Sequence, residues 1–299
     1  MREAVIPAKA GIHSHVPSEI TSINIAKALE QARREIDSVD ARVLLQHALN
    51  SNRAYLTAHP ERVLTEAEQQ QFHDHVARRK SGDPVAYIVG EREFFGLNFN
   101  VTPAVLIPRP ETELLVEQAL ERLPANLSIR VLDLGTGSGI IAIAIAKHRP
   151  LAEISAVDAS ENALEVAKEN ARRLLSGRVA SIKFIRSDWF DAVANTAFDM
   201  IVANPPYIDD DDPHLAQGDL RFEPREALAA GPRGLSALAH IARNAPSRLA
   251  PGGWLLLEHG YDQGIACRDL LTAAGFSSVA THQDLAGIDR VTLGERCVS

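Results

Sequence analysis

Cysteine is scarce in this 299-residue sequence, and long apolar runs are absent. The two cysteines, Cys267 and Cys297, lie far apart and match no metal-ligand spacing, which argues against a cysteine metal site and indicates a reducing, cytoplasmic compartment. No stretch reaches the ~18 consecutive apolar residues that a membrane-spanning helix needs. We therefore expect no membrane partner.

Positive charge is also in deficit, because 31 lysine and arginine residues face 39 acidic residues, for a net charge of −8. This balance disfavours a protein that gains its affinity mostly by neutralising phosphates, although a local basic patch stays possible. The hydrophobic fraction of 45% is typical of a globular protein. The length allows one large domain and a smaller one.

The N-terminal segment has no periodic pattern, and we predict a disordered extension over residues 1–19. It lacks the charged start, apolar middle and cleavage site of a signal peptide. A helical period follows, with Thr65 and Glu68 spaced as a capping box, and it predicts a small helical domain over residues 20–86. We interpret the basic run Arg78-Arg79-Lys80 as a helix end that complements the helix dipole, with partner recognition as the alternative.

Aromatic and β-branched residues predict a hairpin over Tyr87–Val101, and we assign residues 87–104 as a linker. The next segment, Leu106–Glu113, contains two prolines that fix an extended chain before a helix over Glu111–Leu123. Such a stiff segment can line a cleft or merely join two domains. The larger domain is predicted over residues 105–299.

From Arg130 onwards strands and helices alternate, which predicts a parallel sheet with crossover helices. The first strand runs into Gly135-Thr136-Gly137-Ser138-Gly139, where a glycine-rich turn opens a helix and can approach a bound anion. The next strand ends at Asp158, at the spacing from which an acid binds ribose hydroxyls. Position 140 is Ile rather than a third spaced glycine, so a nicotinamide dinucleotide is only the alternative ligand.

The tetrapeptide Asn204-Pro205-Pro206-Tyr207 follows the apolar run Phe198–Ala203, which predicts a buried strand. It therefore lies at the sheet edge where ligands bind. The prolines stiffen the chain and offer no N–H, so the Asn204 side-chain oxygen and the Pro205 carbonyl can accept both hydrogens of a planar NH2 group. Tyr207 adds a flat face for such a group. The alternative is a simple proline-rich turn.

The pattern Asp133-x-Gly135-x-Gly137-x-Gly139 resembles the first motif of class I S-adenosylmethionine-dependent methyltransferases. The resemblance implies that the glycine turn holds the methionine portion of S-adenosylmethionine and that Asp158 holds its ribose. It also implies that Asp188, after the third strand, bonds the exocyclic amine of adenine and that Trp189 flanks the ring. Ordinary loop packing is the alternative for Trp189. The product would be S-adenosylhomocysteine.

The tetrapeptide resembles the motif of enzymes that methylate planar amino or amide nitrogens in DNA, ribosomal RNA or protein glutamine. Its flanks are more specific and resemble the HemK/PrmC family from about residue 20 to the end; they comprise Gly82-x-Pro84-x-x-Tyr87-Ile88-x-Gly90, Glu93-Phe94-x-Gly96-Leu97-x-Phe99, Leu106–Glu113 and Arg221-Phe222-Glu223-Pro224. The family implies methyl transfer to the side-chain N5 of glutamine in the Gly-Gly-Gln motif of bacterial peptide chain release factors. It further implies a cytoplasmic monomer whose helical domain recognises the substrate, without direct nucleic-acid binding.

The resemblance assigns catalysis to Asn204, Pro205 and Tyr207, substrate binding to these three and Pro206, and a cofactor contact to Asn204, with no metal. A sister group that methylates a ribosomal protein carries a Pro-Arg-Ser-Pro variant, so Pro108-Arg109-Pro110-Glu111 favours the release-factor enzyme. A ribosomal-protein glutamine methyltransferase and a nucleic-acid amino-methyltransferase are the alternatives.

The expected fold is a seven-stranded, mostly parallel, doubly wound sheet. Gly252–Glu258 reads as the fifth strand, and Val279–His282 with Arg290–Leu293 as a final hairpin. We interpret Glu258-His259 as structural, with a catalytic role as the alternative. The acidic run Asp209–Asp212 is interpreted as a solvated loop rather than a metal site.

Overall fold

The computed structural model describes residues 23–175, 181–193 and 196–297, so the extension predicted over residues 1–19 lies outside the described residues. The chain divides into two compact units, one that ends at Lys80 and one that begins at Ser81. The domain limits drawn from the sequence, with a boundary at residue 86, stay predictions. Within the described ranges, every helix is too short or too polar to cross a bilayer.

The first unit is helical, and its apolar faces form its core. Its described helices are α1 (Ile25–Ala32), α2 (Ser38–Ala48), α3 (Arg53–Ala58) and α4 (Glu66–Lys80). The capping box is confirmed, because the Thr65 N–H donates to the Glu68 carboxylate at 2.8 Å and the Glu68 N–H donates to Thr65 Oγ1 at 3.3 Å. At the far end of α4, Arg79 pairs with Asp40 at 2.7 Å and Lys80 with Glu35 at 2.8 Å. These residues of the basic run therefore have carboxylate partners within their own unit.

The second unit begins with a short helix and a hairpin, α5 (Val85–Val89), β1 (Glu91–Phe94) and β2 (Leu97–Asn100). The prediction of strand at residues 87–89 is wrong, because Pro84 precedes a helical turn there and Gly90, with φ of 78°, ends it. The turn itself has positive φ at Phe95 and Gly96, as the twist of a two-residue hairpin turn requires.

The remaining elements form one mixed sheet with helices on both faces. They are α6 (Thr112–Arg122), β3 (Arg130–Leu134), α7 (Ile140–His148), β4 (Glu153–Asp158), α8 (Glu161–Leu174), β5 (Ser181–Arg186), β6 (Phe198–Ala203), α9 (Ser236–Asn244), β7 (Leu249–Glu258), α10 (Gly264–Ala273), β8 (Phe276–Gln283) and β9 (Asp289–Arg296). Short 3-10 helices occupy Asp191–Val193, Pro213–Ala216, Leu220–Phe222, Arg225–Ala227, Pro232–Gly234 and Ala245–Ser247.

The seven strands lie in the order β5-β4-β3-β6-β7-β9-β8, and only β9 runs against its neighbours. The predicted seven-stranded, mostly parallel, doubly wound sheet is thus confirmed. Along β3, Val131 packs on the face covered by α6 and α7, whereas Leu132 and Leu134 pack on the face covered by α9 and α10. The chain order reverses between β3 and β6, and at such a switch point the loops diverge and leave a crevice for a ligand.

Candidate active site

A cavity of about 200 Å³ lies at the carboxyl ends of β3, β4 and β6. Its lining includes these residues expected from the sequence: Gly135, Thr136, Gly137, Ser138, Asp158, Asp188, Trp189, Asn204 and Pro206. The described residues that line the cavity do not include Gly139, Pro205 or Tyr207. The structure therefore brings the glycine turn, the second-strand acid and the start of the tetrapeptide together around one space.

The glycine turn after β3 has the backbone that its residues allow. Gly135, Gly137 and Gly139 have φ of 71°, 55° and 85°, in the left-handed region that favours glycine. A Cβ at Gly139 would lie 3.2 Å from Ala167 Cβ and 3.0 Å from Ile143 Cδ1, so α8 packs directly on this backbone. Gly139 thus shapes the turn and is the N-cap of α7, while the four preceding residues line the cavity.

Two carboxyl groups brace this turn. Asp133 Oδ2 accepts the Thr136 hydroxyl at 2.6 Å and the Ala142 N–H at 3.2 Å, while its Oδ1 has no partner among the described residues. Burial raises the pKa of Asp133 to about 7. Asp158 accepts the N–H groups of Gly137 and Ser160, both at 2.9 Å, and burial raises its pKa as well. The Asp158 oxygens still have lone pairs for a hydroxyl donor in the cavity.

The loop after β5 places a flat ring beside the glycine turn. Ser187 Oγ donates to the Trp189 carbonyl and accepts the Ala192 N–H, both at 3.0 Å, which fixes Trp189 with a φ of 44°. The Trp189 ring then lies 4.0 Å from the position that a Cβ would take at Gly135. Asp188 is exposed on the same side of the cavity. A planar ligand group can therefore lie against Trp189 with a carboxylate at its edge.

Asn204 is held by a residue that sequence reasoning did not single out. Its Nδ2 donates to Thr112 Oγ1 at 3.1 Å, and Thr112 is fully buried at the start of α6. Because the nitrogen is engaged, the amide orientation that satisfies this bond leaves Asn204 Oδ1 as an acceptor beside the cavity. Pro205 is buried next to it, and Pro206 lines the cavity.

Tyr207 is fixed at both its hydroxyl and its backbone. The hydroxyl donates to Glu258 Oε1 at 3.3 Å, and the carbonyl accepts Gln263 Nε2 at 2.9 Å. Glu258 is 1% exposed at the end of β7, and burial raises its pKa to about 7. A Cβ at Gly234 would overlap the Tyr207 carbonyl oxygen, so only glycine allows this close approach. Glu258 therefore holds the Tyr207 hydroxyl next to the candidate site, and the structural interpretation of Glu258-His259 stays a prediction.

The stiff segment before α6 lines the cavity, so it forms part of a cleft and is not only a connection between domains. The fully buried Glu223 side chain accepts the Ile107 N–H at 2.9 Å and an Arg109 N–H at 2.5 Å. The Tyr87 hydroxyl donates to the Val105 carbonyl at 2.6 Å. The residues around Arg109 and those after Glu223 both contribute lining side chains. Two sequence motifs far apart in the chain therefore meet at one wall of the cavity.

The functional residues that sequence reasoning missed are those that act across segments. Thr112 and Arg109 lay inside the quoted Leu106–Glu113 motif, so that motif was the available signal. Gln263 binds the Tyr207 carbonyl from 56 residues away, and neither its position nor that of Gly234 carries a local pattern. Within the acidic run, Asp209 accepts the Asp211 N–H at 2.9 Å, a local turn bond.

The chain is similar to known proteins along most of its length. The sequence profile of the PrmC N-terminal domain matches residues 23–90, and that of the methyltransferase small domain matches residues 111–221. A release factor glutamine methyltransferase of Xylella fastidiosa is 51% identical over 269 residues, which cover 90% of this chain and 96% of that protein. A release factor glutamine methyltransferase of Salmonella typhimurium is 50% identical and covers 85% of this chain and 91% of that protein.

A solved structure extends the comparison to the fold. The crystal structure of a methyltransferase from Pyrococcus furiosus matches with a TM-score of 0.51 at 16% identity, over 75% of this chain and 99% of that one. At this identity the likeness shows the fold alone, and that fold is the class I methyltransferase sheet expected from the sequence.

Proposed function

The chain belongs to the family of release factor glutamine methyltransferases, and we propose that it transfers a methyl group from S-adenosylmethionine to the N5 amide nitrogen of glutamine in the Gly-Gly-Gln motif of bacterial release factors. The relatives supply the reaction class and the substrate. Arg109 lies in the Pro108–Glu111 motif that favours the release-factor enzyme over its ribosomal-protein alternative, and it pairs with Glu223 of a second family motif.

The observation that carries the proposal is the orientation of Asn204. Its nitrogen donates to the buried Thr112 hydroxyl at 3.1 Å, so its oxygen is the group offered to a ligand. The side-chain amide of glutamine carries an NH2 that matches this acceptor. We assign the second hydrogen of that NH2 to the Pro205 carbonyl, because the following proline has no N–H to compete for it.

The described residues also fit the proposed methyl donor. We assign the glycine turn to its amino-acid portion, with Gly135 to Ser138 at the cavity and Gly139 shaping the turn behind them. We assign Asp158 to its ribose hydroxyls and Asp188 with Trp189 to its adenine. The 200 Å³ cavity they enclose is lined by backbone of a positive-φ turn, where a Cβ would restrict the approach of a ligand. S-adenosylmethionine, when bound, supplies a methyl group attached to a sulfonium sulfur. That sulfur leaves readily as a thioether without help from a metal.

The amide nitrogen of glutamine is a weak nucleophile, because its lone pair is shared with the carbonyl. Orientation is therefore the main contribution of the protein. Asn204 Oδ1 and the Pro205 carbonyl aim the nitrogen and stabilise the positive charge that develops on its hydrogens. We assign no general base, because Glu258 contacts the Tyr207 hydroxyl and is absent from the described residues that line the cavity. The sulfur leaves as the thioether of S-adenosylhomocysteine, and we assign the proton that the methylated nitrogen loses to solvent water.

We propose that the enzyme acts in the cytoplasm as a monomer, that its helical unit recognises the release factor, and that nucleic acid is not a direct partner. The decisive experiment incubates the purified full chain with methyl-labelled S-adenosylmethionine and, separately, release factor, ribosomal protein or nucleic acid. We expect label on the glutamine of the Gly-Gly-Gln peptide by mass spectrometry. Label on ribosomal protein or on nucleic acid, with none on release factor, would establish one of the two alternatives instead.

A further inference from the structure

One end of the tetrapeptide contacts the buried Thr112 hydroxyl, and the other contacts the buried carboxyl group of Glu258. Asn204 Nδ2 donates to Thr112 Oγ1 at 3.1 Å, and the Tyr207 hydroxyl donates to Glu258 Oε1 at 3.3 Å. Glu258 Oε2 is buried without a hydrogen-bond partner among the described residues, and the nearby Thr112 hydroxyl helps to lower the pKa of this carboxyl group. Thr112 is fully buried and Glu258 is 1% exposed, so bulk water does not compete for these hydrogen bonds.

The chain of bonds has a direction set by its donors. A hydroxyl has a single hydrogen, and because Thr112 Oγ1 accepts from Asn204, its own hydrogen needs another acceptor. Glu258 Oε2, buried without a partner among the described residues, is the acceptor that we assign to this hydrogen when the carboxyl group is ionised. We propose that Glu258 and Thr112 are positioning residues that fix the amide of Asn204 with its oxygen, and not its nitrogen, toward the substrate. The inference rests on the proposed function, since it concerns how Asn204 binds the side-chain amide of the glutamine substrate.

The opposite state is close in shape and differs only in its hydrogens. A protonated Glu258 can donate its own hydrogen to Thr112, and the Thr112 hydroxyl is then free to donate to Asn204 Oδ1. An amide flip satisfies that bond at little steric cost, because the oxygen and nitrogen of an amide are similar in size. The flipped Asn204 presents NH2 to the NH2 of glutamine, where a donor faces a donor.

The surroundings of Glu258 place this change near neutral pH. Its pKa is raised to about 7 in all, chiefly by burial, with a smaller rise from Glu111; the Thr112 and Tyr207 hydroxyls and Arg290 on β9 act in the opposite direction. Burial also raises the pKa of Tyr207, which keeps its hydroxyl a donor. The adjacent His259 contacts Thr292 and Gly260, and burial lowers its pKa. Turnover should therefore fall as the pH falls through the pKa of Glu258.

The test compares Thr112→Val, Thr112→Ser and Glu258→Gln with wild type, with the exposed α6 residue Glu117→Gln as a matched control. We expect Thr112→Val and Glu258→Gln to lower kcat by about 10- to 100-fold with little change in the Kd for S-adenosylmethionine. Thr112→Ser keeps the hydroxyl and should recover most of the rate. The acidic limb of the kcat profile should disappear in Glu258→Gln and persist in Glu117→Gln.

A second readout needs no turnover. In protein labelled with ¹⁵N-asparagine, the Asn204 NH2 resonance, identified by its loss in Asn204→Ala, should titrate in wild type with the Glu258 midpoint and not in Glu258→Gln. If wild type methylates no release factor, the proposed function fails while this titration still tests the network. Three results would overturn the inference. They are an acidic limb of the kcat profile that persists in Glu258→Gln, a wild-type kcat in Thr112→Val, and an Asn204 resonance whose titration is the same in wild type and Glu258→Gln. Should Glu258→Gln not fold, the Thr112 pair decides it.

Discussion

Arg109 and Glu223 form an ion pair between positions 114 residues apart, with Arg109 Nη2 2.5 Å from Glu223 Oε1. The Glu223 side chain is 0% exposed and that of Arg109 is 30% exposed. The second Glu223 oxygen accepts the Ile107 N–H at 2.9 Å. Because a fully buried carboxylate depends on its partners for charge compensation, this pair fastens two irregular segments of the cavity wall to each other.

Removal of the cation should therefore cost stability. We expect Arg109→Met to lower the free energy of unfolding by about 2 kcal/mol, since Glu223 stays buried without its counter-charge and the pair is only partly enclosed. Urea unfolding measures the change. The double variant Arg109→Met/Glu223→Gln removes both charges and should regain part of the loss. A single variant as stable as wild type would show that solvent already compensates Glu223.

Asn204→Ala should abolish most methyl transfer without loss of the cofactor. The variant removes the acceptor that aims the substrate nitrogen, so we expect kcat to fall by about 100-fold or more. Calorimetry with S-adenosylmethionine should give a Kd close to that of wild type, and peptide mass spectrometry follows the methyl group. The matched control is Asn244→Ala, where the side chain bonds the His240 carbonyl on α9, far along the chain from the tetrapeptide. Full activity in Asn204→Ala would remove Asn204 from the mechanism.

The sheet could be predicted from the sequence because its signals are local. The central strand Phe198–Ala203 is a short run rich in branched apolar residues, and its predicted and observed bounds are the same. The bounds predicted for the last three strands agree with the observed ones to within three residues. The Thr65 capping box is local as well. The helix Val85–Val89 was missed because its aromatic and β-branched residues favour a strand, whereas Pro84 and Gly90 at its ends impose a single helical turn.

The candidate site also has a part that could be predicted from the sequence and a part that could not. The glycine turn, Asp158 and the tetrapeptide are consecutive or regularly spaced, so their chemistry shows in the sequence. The partner of Asn204 does not, because Thr112 lies 92 positions earlier and meets it only when α6 packs beside β6. A hydrogen bond between such segments depends on packing, which no local pattern encodes. Glu258 showed only as a polar residue at a strand end, without its contact to Tyr207.

Asp158→Ala should weaken the binding of S-adenosylmethionine. The carboxylate offers acceptors to ribose hydroxyls and also receives the Gly137 N–H at 2.9 Å, so its loss affects both the ligand and the turn. We expect the Kd for S-adenosylmethionine to rise by about 10- to 100-fold, the range for a lost charged hydrogen bond. Asp269→Ala on the exposed face of α10 is the control. An unchanged Kd would refute the ribose assignment.

The capping box of α4 gives a prediction for the helical unit. Thr65→Ala removes the hydroxyl that accepts the Glu68 N–H at 3.3 Å, and an N-cap of this kind contributes about 1 kcal/mol. The free energy of urea unfolding should fall by that amount. Thr57→Ala makes the same chemical change where the hydroxyl only bonds the Arg53 carbonyl within α3, so it should have a smaller effect. Equal losses in the two variants would mean that the box does not stabilise α4.

Asp133 predicts how stability depends on pH in the absence of ligand. Burial raises its pKa to about 7 from an ordinary 3.8, so the folded state holds a proton that the unfolded state has released between these values. The contribution of Asp133 to the free energy of unfolding is therefore largest near pH 4, falls as the pH rises through this window, and levels off above about pH 7.

Asp133→Asn lacks this titration and keeps an oxygen for the Thr136 hydroxyl, while Glu258 titrates equally in both proteins. We expect the stability of the variant relative to wild type to increase from about pH 4 to about pH 7, measured by urea unfolding across the range. The exposed Asp269→Asn should show no such trend. Parallel curves for wild type and Asp133→Asn would mean that the folded protein does not retain the Asp133 proton.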